Sequence, residues 1–175
     1  MDHGYPSQEL LASYAAGGTS EGISLAIAAH LTYCPESRER LAEIEAVAGA
    51  MLAEADADEA PSLDAIMARL DDEEVAAPSP EIEAGPLPAP VAQAIGMDFD
   101  QIPWKFRLPG VHEYEFLNDA GEEVSLLKVR PGAAIPKHTH EAEELTVVFD
   151  GELHDGDAVF TKGQLAIADP SVDHH

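Results

Sequence analysis

Residues 76–90, AAPSPEIEAGPLPAP, place five prolines in fifteen positions with few large apolar side chains between them. Each proline fixes φ and removes a backbone donor, so the stretch cannot run through the middle of a helix or sheet. It predicts an extended linker over 76–92 and forces the 175-residue chain into two units, 1–75 and 93–175. The hydrophobic periodicity differs on the two sides of the break, so the units belong to different fold classes.

Upstream the spacing is helical. Pro6 and Ser7 lead into QELLASYAA, and Gly17-Gly18 end it. Ser20 caps a second helix whose stripe Ile23, Ile27, His30, Cys34 follows i, i+4, i+7, i+11. Pro35 suits the first turn of a third helix, where its missing N–H is not needed. Leu41, Ile44, Ala48 and Met51 continue that helix's apolar stripe. SLDAIMARL, from Ser62, predicts a short fourth helix with Leu63, Ile66, Met67 and Leu70 on one side.

Downstream of about residue 91 the runs become short and β-like: HEYEFLN, VSLLKVRPG, EELTVVFDGE and AVFTKGQLAIAD. Turn signals at Asn118–Gly121, Pro131-Gly132, Asp155-Gly156 and Lys162-Gly163 separate them. Short strands at close spacing predict a sandwich or barrel. The predicted architecture is therefore two-domain α + β: a small bundle of about four helices, a Pro-rich linker, and an all-β domain.

Charge and cysteine content narrow the function classes. The net charge is −25, from 34 acids against 9 Lys plus Arg. Direct binding of DNA or RNA needs phosphate neutralisation and is excluded as the main role. A basic protein partner would be attracted instead. One cysteine forms no internal disulfide, and MDHGYPSQELL has no basic n-region followed by an apolar h-region. No apolar run reaches the ~18 residues of a membrane span. These features predict a cytoplasmic protein.

The chemistry-bearing stretch of the second unit is PKHTHEAEELTVVFDGE, residues 136–152. Strand side chains alternate faces, so His138, His140 and Glu144 share one face while Glu141 and Glu143 take the other. Two imidazoles and a carboxylate on one face can converge on a divalent cation such as Zn, Fe, Mn, Ni or Cu. The bland alternative is an edge strand with solvated histidines. His112 and His154 read as surface residues.

The spacing Gly132-x5-His138-x-His140-x3-Glu144-x6-Gly151 resembles the first cupin motif at every fixed position. The resemblance implies a small jelly-roll β-barrel over 93–175 that binds one metal, zinc being the expected ion. A second cupin motif supplies a third histidine. Here Gly163 is followed by Asp169-Pro170-Ser171 and His174, with Asp169 and Ser171 standing where the family has proline and glycine. His174 is the expected third histidine, and a register shift of one would exchange it for His175. A cupin barrel would need at least one more strand after His175, so the β unit reads as truncated at its C-terminus.

In the helical unit, HLTYCPES places His30 and Cys34 on one helical face, a two-ligand arm for zinc. Together with the preceding LLASYAAGGTSEGISLAIAA it looks like the zinc-binding anti-sigma domain, whose motif is His-x3-Cys-x2-Cys. Joined to a C-terminal cupin, the whole chain is similar to the ChrR family of anti-sigma factors. Ser37 stands at the family's second cysteine, and a neutral hydroxyl is a poor zinc ligand beside a thiolate. The family also uses an upstream histidine, for which His3 is the candidate. The resemblance thus implies a second, incomplete metal site of His3, His30 and Cys34, with a fourth position left to water or Glu36.

The resemblance implies an anti-sigma factor that binds and inhibits an extracytoplasmic-function (group IV) sigma factor. Release would follow an oxidative signal such as singlet oxygen, with the metal-binding cupin as sensor and no enzymatic activity. Cys34 is the one thiol that can be oxidised. The competing readings are a metal-dependent cupin enzyme (dioxygenase or isomerase) and a metal-storage or scaffold protein.

Overall fold

The computed structural model describes residues 4–54, 62–64, 66–67, 85–118, 120–135 and 144–168. Three helices open the chain: α1 (Gln8–Ala15), α2 (Glu21–Tyr33) and α3 (Pro35–Glu54). Ser7 and Ser20 cap the first two, their side chains accepting the N–H groups of Leu10 and Ile23. Within the expected fourth helix, Leu63, Asp64, Ile66 and Met67 are helical, and Ile66 N–H bonds to the Ser62 carbonyl. The chain then enters a region rich in β-structure, as the change of periodicity predicts. Among the described residues no helix is long and apolar enough to cross a membrane.

The stretch expected to be an extended linker is not extended throughout. Within 76–92, Gly85 and Pro86 make a turn, and residues from Ala89 onward begin a fourth labelled helix, α4 (Ala89–Ile95). Pro88 precedes it and Pro90 lies in its first turn, where a missing N–H costs nothing. Leu87, Val91 and Ala92 are buried. Prolines here start a helix instead of spacing two domains, because the apolar groups between them have a core to enter. Residues 76–84 lie outside the described residues.

Among the described residues seven strands follow: β1 (Lys105–Leu108), β2 (Val111–Leu117), β3 (Glu123–Val129), β4 (Glu144–Val147), β5 (Glu152–Asp155), β6 (Ala158–Thr161) and β7 (Leu165–Ala168). They pair antiparallel as β1-β2-β3, β4-β7 and β5-β6. Register follows the alternation of side chains: Tyr114↔Leu126 and Phe116↔Val124 fall on one face of the three-stranded sheet. Val111↔Val129 and Glu113↔Leu127 fall on the other. Glu113 is buried beside Arg107, whose guanidinium donates to its carboxylate.

Helix α2 belongs to two cores at once. Ile23, Ile27 and Leu31 pack with Leu10, Leu11, Tyr14, Leu41 and Ile44 of the bundle. Leu25 and Ala29, on its other side, pack with Leu87, Val91, Ala92, Ile102, Leu126 and Phe149. An apolar stripe on both sides of a helix requires cover on both sides. The β domain supplies the second cover, so the two units are built against each other.

Both ends of α2 are also held by β-hairpin turns. At its N-terminus the Glu122 carboxylate accepts the Gly22 N–H at 2.7 Å and the Asn118 side-chain N–H at 2.7 Å. Glu21 in turn accepts the Ala120 N–H at 2.9 Å. A carboxylate at a helix N-terminus meets unpaired N–H groups and the positive end of the dipole. Hydrogen bonds from Ser20, Gly22 and Asn118 hold the Glu122 carboxyl below its ordinary value. Its contribution is present above that ordinary value and is lost as pH falls through the lowered one. Glu122→Gln should therefore flatten the acid limb of a thermal-stability profile and lower the midpoint slightly at neutral pH. An acid limb identical to wild type would assign no such role to Glu122.

Candidate functional site

A single residue, Cys34, separates α2 from α3, and the junction gathers three polar side chains. His30 lies in the last turn of α2, Cys34 caps that helix with extended backbone, and Ser37 lies in the first turn of α3. Pro35 forces the break: it disfavours a helical residue before it and begins the next helix. His30 and Ser37 are buried, at 0% and 1% exposure, and Cys34 is half-buried.

The hydrogen bonds fix the roles of each atom. His30 Nδ1 lies 2.6 Å from the Gly163 carbonyl oxygen. A carbonyl can only accept, so Nδ1 carries the proton. Nε2 then presents its lone pair to Ser37 Oγ at 2.8 Å, and the serine hydroxyl donates to it. The Cys34 thiol donates to Ser37 Oγ at 3.3 Å, and the Ser37 N–H donates back to the sulfur at 3.4 Å. Sulfur thus caps α3 as a serine oxygen would. Burial pushes the His30 pKa below its ordinary value, and the Gly163 hydrogen bond opposes this to a lesser degree. The neutral tautomer assigned by geometry is the one burial favours.

Further contacts flank the junction. Tyr5 sets its ring edge-on to the His30 imidazole at 6.1 Å. Next to it, Gly4 bridges to the edge of β7, its carbonyl accepting the Leu165 N–H at 3.0 Å. The N-terminal segment therefore joins the β domain before the chain enters α1. On the other side, Lys162 lies over the Tyr33 ring at 4.8 Å, and Tyr33 packs against Phe149.

Of the residues singled out in the sequence, His30 and Cys34 come together and Ser37 joins them. Ser37 stands where the family motif has its second cysteine. Nothing in the sequence pointed to the Gly163 carbonyl, because a backbone acceptor has no residue signature. Glu144 opens β4 opposite Ala168, half-buried, with the Thr146 hydroxyl 3.4 Å from its carboxylate on the same face. His3, His138, His140, His174 and His175 lie outside the described residues. Among the described residues no three His, Cys, Asp or Glu side chains gather as a metal site. His154 is exposed on β5, 3.4 Å from Glu152, and His112 is half-buried against Phe106.

Residues 92–175 match the ChrR cupin-like domain. Over 176 aligned residues the chain is 37% identical to anti-sigma-E factor ChrR of Cereibacter sphaeroides, spanning 96% of this chain and 80% of that protein. The chain belongs to the ChrR family. A solved chain from the crystal structure of Rhodobacter sphaeroides SigE in complex with the anti-sigma ChrR superposes with a TM-score of 0.80 at 34% identity. That match covers 99% of this chain and 90% of the other. The ChrR likeness therefore extends through the helical bundle as well as the β domain.

Proposed function

We propose that the chain is an anti-sigma factor: its helical bundle captures an extracytoplasmic-function sigma factor in the cytoplasm, and its cupin domain receives the signal. The observation that carries this reading is a bare apolar face on the bundle of a chain that superposes on a sigma-bound relative. The apolar stripe of α3, Leu41, Ile44, Ala48 and Met51, enters the bundle only as far as Ile44. From Glu45 to Glu54 every residue is exposed, leaving Val47, Met51 and Leu52 at 63–76% exposure. Leu63, Ile66 and Met67 are likewise uncovered. Exposed apolar groups clustered on helices mark a docking surface.

In the β domain His138, His140, Glu144 and His174 would hold one metal ion, zinc by family expectation. Two or three imidazoles with one carboxylate form a donor set that fits it. The ion would fix the strands that carry its ligands, and the chain would act by binding and release, without turnover. A signal that moves the complex from 99% bound to 99% free must change its affinity by about 5.5 kcal/mol. The packing of α2 into both cores gives the β domain a physical route to the bundle.

The test is titration of the full chain with its cognate sigma factor and assay of sigma-dependent transcription. Tight association and blocked transcription are expected. With a net charge of −25 facing a basic partner, the association rate should fall roughly tenfold or more from low to high salt. A chain that binds no extracytoplasmic-function sigma factor would end the proposal, and a salt-independent rate would remove electrostatic steering.

A further inference from the structure

We propose that the helical bundle of this chain is fastened by a hydrogen-bonded relay, Cys34–Ser37–His30–Gly163, in the place where its family pattern has a metal ion. Among the described residues the donors do not fit zinc. A tetrahedral zinc with Zn–N and Zn–O bonds near 2.1 Å holds its nitrogen and oxygen ligands about 3.4 Å apart. His30 Nε2 and Ser37 Oγ are 2.8 Å apart, a direct hydrogen bond. The lone pair a metal would take is occupied by the serine proton. The hydroxyl is a neutral, weak donor where a thiolate would be needed.

The relay satisfies every buried group it touches. The thiol donates to Oγ, Oγ donates to Nε2, and Nδ1 donates to the Gly163 carbonyl; the Ser37 N–H returns to sulfur. Ser37, at 1% exposure, has no water to turn to, so its hydroxyl must be used within the protein. One substitution from cysteine to serine therefore converts a two-sulfur clasp into a metal-free one without leaving a buried polar atom unpaired. It follows that loss of a metal cannot open the bundle of this chain, and signal reception by that route is confined to the β domain.

Cys34 is the chain's one cysteine, so a thiolate-to-metal absorption band reports this site alone. The full-length protein is titrated with cobalt(II) and followed in the near ultraviolet. The cupin donors, nitrogen and oxygen, give no such band. The wild type should show no sulfur-to-cobalt charge transfer. Ser37→Cys should show a saturable band, and its thermal midpoint should rise further on cobalt addition than that of the wild type. A saturable band in the wild type would overturn the proposal. A band in neither protein would also overturn it, because the hydroxyl would then not be what closes the site to metal. The band depends neither on sigma binding nor on the cupin metal, so the result stands apart from the function proposed above.

Discussion

Gly163→Val should lower the thermal unfolding midpoint by about 10 °C, the largest effect expected of any single substitution in the β6–β7 turn. Gly163 is buried at φ +87°, and a Cβ there would lie 2.6 Å from Tyr33 Cβ. A left-handed backbone costs an L-residue about 1–2 kcal/mol. The clash falls between the β6–β7 turn and the end of α2, so the turn must lift away. His30 Nδ1–H then loses its carbonyl in a buried site, which adds about 1–3 kcal/mol. The combined loss is about 2–5 kcal/mol, at roughly 2–4 °C per kcal/mol for a chain of this size. Gly121→Ala is the control: Gly121 has φ +80° but open space around its Cβ position, so it should cost only the backbone strain. Calorimetry of the two variants checks this. If Gly163→Val melts no lower than Gly121→Ala, the turn is not a fastening of α2.

That fastening marks the boundary between what was legible in the residues and what was not. The two fold classes were, because periods of 3.6 and 2 are local properties of side-chain order. The helix caps Ser7 and Ser20 and the break at Pro35 were legible for the same reason. Docking of the two units was not. It depends on Leu25 and Ala29 meeting α4 and β3, and on hairpin turns reaching both ends of α2, which are contacts between residues far apart along the chain. Prolines 86, 88 and 90 were read by composition as spacing, whereas Leu87 and Val91 among them find cover in the β domain. At the site, His30 and Cys34 were visible as a helical pair. Their union with Ser37 was half-visible, and the family motif had marked that position as a loss of ligand. The structure reveals the gain: the hydroxyl that is poor for zinc is well matched to a neutral imidazole.

Leu52→Glu and Met51→Glu should each weaken capture of the sigma factor by about 30-fold or more while leaving the fold intact. Leu52 is 76% exposed and Met51 69%, so neither contributes to the bundle core. Substitution at such positions changes stability by no more than about 0.5 kcal/mol. An apolar anchor buried at a protein interface contributes about 2 kcal/mol or more when lost, and 1.4 kcal/mol is tenfold in affinity. The added carboxylate also separates two explanations. Toward a basic partner, one more negative charge on a chain of −25 strengthens long-range attraction, so steering alone predicts equal or faster association. A loss of affinity can then come only from desolvating the new charge against apolar partner groups. Val159→Glu, on an exposed apolar position of β6, supplies the same charge away from the α3 face and should bind as wild type does. Titration of a labelled sigma factor with the three variants, alongside their melting curves, decides the matter. Wild-type affinity in both α3 variants would mean that the bare face of α3 meets something other than sigma.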